Sequence, residues 1–265
     1  AVIQMNSKKD IDSNLESAYA LLKEASSKGA VLAVLPEMFA CLGVKDQKHL
    51  TLSRFHLQDV LSIFAGWAKE LSMYLICGSV PISIDGSQKV AASCLVYSPA
   101  GALLSDYQKI HLFDVVLNDN ERYRESDTFI AGSESKTVLV EGKKLGLSIC
   151  YDLRFPELYQ DYQKQHCQII TVPSAFTYKT GKQHWEILLR ARAIETQCFI
   201  LAANQVGIHE DGRRTWGHSM IVSPDGDILA QAAKDEPCVV MAELDFNLQQ
   251  ALQQSMPLLN HKRLM

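Results

Sequence analysis

LGLSICYDLRFPEL, residues 145–158, decides how the rest of the chain is read. Leu145, Leu147 and Ile149 alternate with small residues, the pattern of a buried strand. Asp152 and Arg154 end that pattern, and Pro156 followed by Glu157 suits the first turn of a helix, because proline pre-sets φ and an acid complements the helix N-terminus. Cys150 therefore falls at a strand-to-helix turn. Such a turn exposes a side chain at the carboxyl edge of a sheet, beside N–H groups not yet committed to a helix, which favour a thiolate or hold an oxyanion. The competing reading is a buried structural cysteine, since free cysteine is among the most buried residue types.

Outward from this stretch the chain alternates strands and helices. AVIQM at residues 1–5 is a strand-sized apolar run, and Leu15, Ala18, Tyr19, Leu22 and Ala25 recur at helical spacing between an expected N-cap at Asp12 and a stop at Gly29. VLAVLPE, 31–37, is a continuous apolar run of the kind buried on both faces, ended by proline and Glu37. A second amphipathic pattern over Ser53–Ser72 leads into the strand YLICGSV. CLVYSPAGALLSDYQK, 94–109, reads as a hairpin that Lys109 closes. MIVSPDGDILAQ, 220–231, repeats its turn chemistry, and a closing hairpin is expected over Met220–Leu244.

Between Ile110 and Lys136 the chain is polar and reads as one long irregular loop, a length more often functional than idle. A hairpin around Glu141–Lys144 then delivers the chain to Cys150. A helix over 155–165, the strand CQIITVP, the helix HWEILLRARAIETQ and the strand CFILAANQ follow. No linker or composition shift divides the chain, so the expectation is a single α/β domain over 1–265, with 246–265 as a C-terminal helix and tail.

Composition narrows the function. Of 265 residues 47% are hydrophobic, enough for a large core, and a net charge of −4 without a basic run gives no reason to expect nucleic acid. Seven cysteines, an odd number without paired CxxC spacing, argue against a disulfide scaffold and a zinc site and point to a reduced, cytoplasmic setting. No stretch approaches the roughly 18 apolar residues of a membrane span, and no leader pattern opens the chain. No metal or other cofactor is expected.

Glu37, Lys109 and Cys150 each terminate an apolar, strand-like run, and ligands of open α/β sheets collect outside the carboxyl ends of strands. A carboxylate that takes the thiol proton, a thiolate that attacks a carbonyl or nitrile carbon and an ammonium that steadies the developing anion form a complete set for acyl transfer. Coincident strand ends leave other readings open: Glu37 as a capping or surface acid, Lys109 as a solvated strand terminus, and a Cys/His hydrolase drawing on His111, His184 or His218.

LPEMF around Glu37, YQKIHL around Lys109 and SICYDLRFPEL around Cys150, continued by RESDTFIAG, PSAF, HWEILLRARAIETQ, NQVG and GHSMIV, resemble the nitrilase superfamily of carbon-nitrogen hydrolases in its order and over most of the chain. The resemblance implies a four-layer αββα sandwich, with Glu37 as general base and acid, Lys109 as oxyanion stabiliser and Cys150 as nucleophile. It also implies Glu125 as a supporting acid and the Tyr151 amide as a second oxyanion donor. Within the superfamily the chain is most similar to amidases that remove the ω-amide nitrogen of deaminated glutathione, and next to ω-amidases acting on α-ketoglutaramate.

Both substrates are small anions, which calls for cations at the mouth. Arg154, Lys179, Lys182, His184 and Arg213 are the candidates, and Ser174 and Phe176 of PSAF join Arg154, Lys179 and His184 as expected substrate contacts. A homodimer built on HWEILLRARAIETQ and the C-terminal arm is implied by the same resemblance. A non-catalytic scaffold and a redox sensor using Cys150 are the rival functions.

Overall fold

The computed structural model describes residues 1–43, 57–118, 121–233 and 235–263. Two sheets carry the fold. The first contains β1 (Val2–Gln4), β2 (Leu32–Val34), β3 (Tyr74–Ser83), β4 (Val90–Tyr97), β5 (Leu103–Gln108) and β17 (Cys238–Val240), in the order β17-β1-β2-β3-β4-β5, with the short β8 (Phe129–Ile130) alongside β4. The second contains β9 (Thr137–Val140), β10 (Lys143–Leu147), β11 (Ile169–Thr171), β12 (Phe199–Ala202), β15 (Met220–Val222) and β16 (Ile228–Gln231), in the order β9-β10-β11-β12-β15-β16.

Read in those orders the two sheets follow one plan: an antiparallel edge strand, three parallel strands, then two antiparallel strands. The matching turn chemistry noted in the sequence belongs to this plan. The Ser98 amide donates to the Ala102 carbonyl and Gly101 to Ser98, and likewise Ser223 to Asp227 and Gly226 to Ser223. Both hairpins occupy the same place in their sheets.

Period-two alternation in the strands sorts the layers. Val2, Val34, Ile76 and Val96 of the first sheet join Leu145, Leu147 and Ile149 in one buried cluster. Ile3, Ala33, Leu35, Leu75 and Leu95, one residue out of step, cluster with α1 (Ile11–Ser27) and α2 (Leu57–Glu70). The second sheet is covered by α3 (Pro156–Lys164) and α4 (Tyr178–Thr196), whose Tyr159, Tyr162, Trp185 and Leu189 are buried. Gly146, out of step with Leu145 and Leu147, leaves room there: a Cβ on it would sit 2.6 Å from the Tyr162 ring. The result is the expected four-layer αββα sandwich. α5 (Phe246–Ser255) and α6 (Leu258–His261) follow, where the C-terminal helix and tail were expected.

Several local expectations are corrected. The N-cap of α1 is Asp10, whose carboxylate accepts the Ser13 amide at 2.9 Å, while Asp12 lies within the first turn. The start of the helix expected from Ser53 lies outside the described residues, and the described part begins at Leu57. The segment 110–136 is not irregular: it holds the antiparallel hairpin β6 (Asp114–Asn118) and β7 (Glu121–Arg124), then a 3-10 turn over Glu125–Asp127 and β8. α4 begins at Tyr178, ahead of the expected helix HWEILLRARAIETQ, whose first residue is His184. The last hairpin stops at Gln231, and Cys238–Val240 crosses to the other sheet to pair with β1, satisfying an edge that would otherwise stay open. Between α4 and β15, β13 (Val206–Ile208) and β14 (Arg214–Trp216) form a separate hairpin.

Candidate active site

Glu37, Lys109 and Cys150 arrive from three strand ends. Lys109 follows β5 directly, and its amide donates to the Ala92 carbonyl at 2.9 Å, so the backbone stays in ladder register through the residue. Glu37 lies just past β2 in a bridge to Ser79. Its carbonyl accepts from Gln205 Nε2 at 3.1 Å, and Gln205 Nε2 also reaches the Ser7 hydroxyl at 2.7 Å, which ties this turn to the end of β1. Ile149 is still extended when the chain reverses at Cys150, whose φ of +47° is left-handed. Few non-glycine residues accept that geometry, and it accumulates where a side chain must be presented. The Cys150 amide donates to the Pro173 carbonyl at 2.9 Å, and a one-turn 3-10 helix over Cys150–Arg154 runs into α3 with Pro156 at its start.

The three side chains meet in a cavity of about 480 Å³ that Glu125 also lines. Lys109, 1% exposed, places Nζ 2.8 Å from Glu37 Oε1 and 2.9 and 2.8 Å from the two oxygens of Glu125. Glu37 Oε2 accepts the Ala175 amide at 2.8 Å, and Glu125 Oε2 accepts the Phe113 amide at 2.6 Å. Burial works against the Lys109 charge, yet Glu125 and Glu37 outweigh it and hold its pKa well above the ordinary lysine value. Burial raises the Glu125 pKa; Lys109 opposes this and Glu37 adds to it. Burial and the Glu37 charge likewise push the Cys150 thiol well above the usual thiol range, against the pull of Lys109. The resting site thus holds a protonated thiol beside a carboxylate and an ammonium.

The expected contacts divide. Tyr151, Arg154 and Phe176 line the cavity, and Arg213 joins them from the β13–β14 turn. Arg154 lies over the Phe176 ring at 5.1 Å and meets His184 Nδ1 at 3.3 Å. Ser174, Lys179 and His184 are not among the lining residues. Ser174 is fully buried, with its hydroxyl donating to the Val172 carbonyl at 3.2 Å, because PSAF continues β11 inside the core. Lys179 and Lys182 face solvent, since helix α4 already runs through them. His184 braces Arg154 from behind, and burial and that guanidinium hold its pKa below the ordinary histidine value.

Sequence reasoning missed Arg122, Tyr123 and Arg124, which reach the wall because 110–136 is a hairpin; the alternation in ERYR was the signal available. His111, weighed as a catalytic base, is bound instead to Asp152, with Nδ1 2.8 Å from Oδ1 and its ring stacked on Phe155 at 3.6 Å. His218 stacks on Trp216. All seven cysteines are free, and among the described residues no cluster of His, Cys, Asp and Glu is arranged to hold a metal. Among them, too, no helix is long and apolar enough to cross a membrane.

The chain is similar to known proteins over nearly its whole length. The chain is 40% identical, over 99% of its length, to the nitrilase and fragile histidine triad fusion protein of Drosophila melanogaster, of which it spans 57%. It is 38% identical over 99% of its length to a deaminated glutathione amidase of Synechocystis, covering 97% of that protein, and 37% identical over 94% to an omega-amidase of Xenopus tropicalis, covering 89%. The crystal structure of the Caenorhabditis elegans NitFhit protein superimposes with a TM-score of 0.93 at 34% identity, over 99% of this chain and 64% of that one. A structure of a variant amidase from Nesterenkonia, bearing a covalent acetamide moiety on its active-site cysteine, superimposes with a TM-score of 0.85 at 25% identity, over 99% of this chain and 92% of that one. The carbon-nitrogen hydrolase profile matches residues 1–254, and the chain belongs to that family.

Proposed function

We propose that this chain is a thiol-dependent amidase that hydrolyses the ω-amide of a small anionic substrate, deaminated glutathione foremost, through a thioester on Cys150 with release of ammonia. The observation that carries the reading is the buried ammonium of Lys109 held between Glu37 and Glu125 beside the Cys150 thiol, at the base of a cavity that Arg122, Arg124, Arg154 and Arg213 also line.

The chemistry follows from the resting charges. Because the thiol keeps its proton, Glu37 accepts that proton as the sulfur adds to the amide carbon, and no free thiolate accumulates. The oxygen of the tetrahedral intermediate takes its stabilisation from Lys109 and from the Tyr151 amide at the start of the 3-10 turn. Glu37 then passes its proton to the leaving nitrogen, ammonia departs, and the thioester remains. Water activated by Glu37 adds to the thioester, and the proton returns to sulfur as the acid leaves. Glu125 holds Lys109 charged and in place throughout.

Charge at the mouth favours an anion. Four arginines line the cavity, Arg124 lying 3.8 Å from Asp127 and Arg213 3.8 Å from Asp211, while Glu37 and Glu125 are occupied by Lys109. A cavity of about 480 Å³ suits an amide of tripeptide size as well as a compact keto acid, so α-ketoglutaramate is the second substrate to test.

The test is ammonia release from deaminated glutathione, α-ketoglutaramate, neutral aliphatic amides, ureido compounds and nitriles, with and without the Cys150→Ala substitution. Acidic ω-amides are expected to be fastest, and a thioester adduct is expected by mass spectrometry only where Cys150 is present. Equal rates for neutral and anionic amides would remove the substrate assignment; full turnover by Cys150→Ala would remove the mechanism. Exposed Ile187 and Ile194 on α4 favour pairing with a second copy of the chain through that helix, which sedimentation tests directly.

A further inference from the structure

Asp152, two residues beyond Cys150, is fully buried, and nothing in the proposed chemistry uses it. Its carboxylate nevertheless takes four hydrogen bonds. Oδ2 accepts the Tyr107 hydroxyl at 2.6 Å and the Ile149 amide at 2.8 Å, and Oδ1 accepts the His111 amide at 3.0 Å and lies 2.8 Å from His111 Nδ1. The positions of these donors matter more than their number. Tyr107 and His111 flank Lys109 at two residues on either side, and Ile149 immediately precedes Cys150.

Tyr107 lies in β5, the edge strand of the first sheet, Lys109 directly follows it, and the chain then bends at Ile110 and His111, so that Tyr107 and His111 both reach the Asp152 carboxylate. Tyr107 and Asp152 are both buried there, and the His111 ring packs flat on Phe155, three residues past Asp152. One carboxylate thus fastens the lysine-bearing strand end of the first sheet to the cysteine-bearing turn of the second.

We propose that Asp152 is a positioning residue which sets the distance between the Lys109 ammonium and the Cys150 sulfur, acting through Tyr107, His111 and Ile149 and touching no substrate. The proposal rests on the Glu37, Lys109 and Cys150 reading of the site. A buried carboxylate satisfied by four donors is rigid, and its loss leaves those donors to find new partners. An asparagine in its place keeps the shape but offers only one accepting oxygen, so the donors at the other oxygen lose their acceptor. The strand end and the turn then separate by a fraction of an ångström, a displacement that pre-organised sites tolerate badly.

The experiment does not depend on knowing the substrate. The rate of Cys150 alkylation by iodoacetamide at pH 8 is measured for the wild type, Asp152→Asn, Lys109→Ala and the Asp152→Asn/Lys109→Ala double variant, with near-ultraviolet circular dichroism and thermal unfolding as controls of the fold. Lys109 lowers the proton affinity of the thiol, so Lys109→Ala is expected to slow alkylation. Asp152→Asn is expected to slow it about tenfold, the effect of raising a thiol pKa by about one unit. The double variant should be no slower than Lys109→Ala alone, because Asp152 acts through that lysine.

Losses that multiply in the double variant would assign Asp152 a general structural role and overturn the proposal, as would an unchanged rate in Asp152→Asn alongside a slowed Lys109→Ala. An unchanged rate in Lys109→Ala would instead overturn the underlying reading of the three residues, and this proposal with it. Should Asp152→Asn fail to fold, Tyr107→Phe removes a single donor and is expected to give the same non-additive pattern with Lys109→Ala; additive losses there would overturn the proposal equally.

Discussion

Glu125 grips the Lys109 ammonium with both carboxylate oxygens, at 2.9 and 2.8 Å, whereas Glu37 gives it one oxygen, at 2.8 Å, and commits the other to the Ala175 amide. The two acids therefore divide two tasks. Glu125 is oriented by the Phe113 amide to hold the lysine, and Glu37 is oriented by Ala175 and left close enough to the thiol to raise its proton affinity.

From that division, Glu37→Gln should cost at least as much as Glu125→Gln. Without a carboxylate at 37 no group takes the thiol proton, and ammonia release should fall about 10²–10⁴-fold, the usual contribution of a general base. Glu125→Gln keeps an oxygen for Lys109 and spares the base, so kcat should fall by about 10²-fold with little change in KM, as expected when charge stabilisation of the transition state is weakened. Steady-state kinetics on one ω-amide decides; a larger loss in Glu125→Gln than in Glu37→Gln would contradict the division of roles.

Lys109 also predicts a pH dependence of stability. Its folded pKa is raised above the unfolded value, so its contribution is fully present below the ordinary lysine pKa of about 10.4 and is lost as pH rises through the folded value. The gap in unfolding free energy between the wild type and Lys109→Met should be flat from pH 7 to about 10 and shrink above it. Denaturant titrations across that range measure it, and a gap that widens with alkali would show the sign to be wrong.

Arg154 and Arg213 both line the cavity, one braced by His184 and Phe176 and the other lying over Tyr123 at 5.3 Å. If they receive the anionic part of the substrate, Arg154→Gln and Arg213→Gln should each raise KM for an acidic ω-amide about 10–10²-fold, since a hydrogen bond to a charged group contributes about 1.5–3 kcal/mol. KM for a neutral amide should stay within about twofold. Equal changes for both substrates would assign the arginines to the shape of the wall and not to charge recognition.

The sequence revealed those parts of the site that local pattern encodes. Strand alternation through Leu145, Leu147 and Ile149, with proline at the helix start, sufficed to place Cys150 on its turn. Glu37 was found as the acid that ends the apolar run 31–37, and Lys109 as the residue that closes the second strand of the hairpin 94–109. What escaped depends on distant partners. Asp152 read only as a residue that ends the strand pattern, because its partners Tyr107 and His111 lie 45 and 41 positions away in the sequence. Ser174 looked like a site residue and is buried because the neighbouring Asn204 segment bridges it. The strand Cys238–Val240 read as the end of a local hairpin because nothing nearby in sequence discloses an unpaired edge at β1. Arg122 and Tyr123 were hidden by the brevity of β7, which alternates over too few residues to stand out.

The left-handed backbone at Cys150 supports a last prediction. At φ +47° any side chain with a Cβ crowds its own carbonyl, at a cost of about 1–2 kcal/mol that glycine does not incur. Cys150→Ala keeps that cost, and Cys150→Gly removes it. Glycine elsewhere destabilises relative to alanine through the entropy of the unfolded chain, by roughly 0.4–1 kcal/mol, so at an ordinary position the order would be reversed. Here Cys150→Gly should unfold at a temperature equal to or above that of Cys150→Ala, although both lack the nucleophile. Differential scanning calorimetry on the two inactive proteins gives the comparison. A clearly lower midpoint for the glycine variant would mean that the turn is not strained, and that the thiol is presented at no conformational cost to the fold.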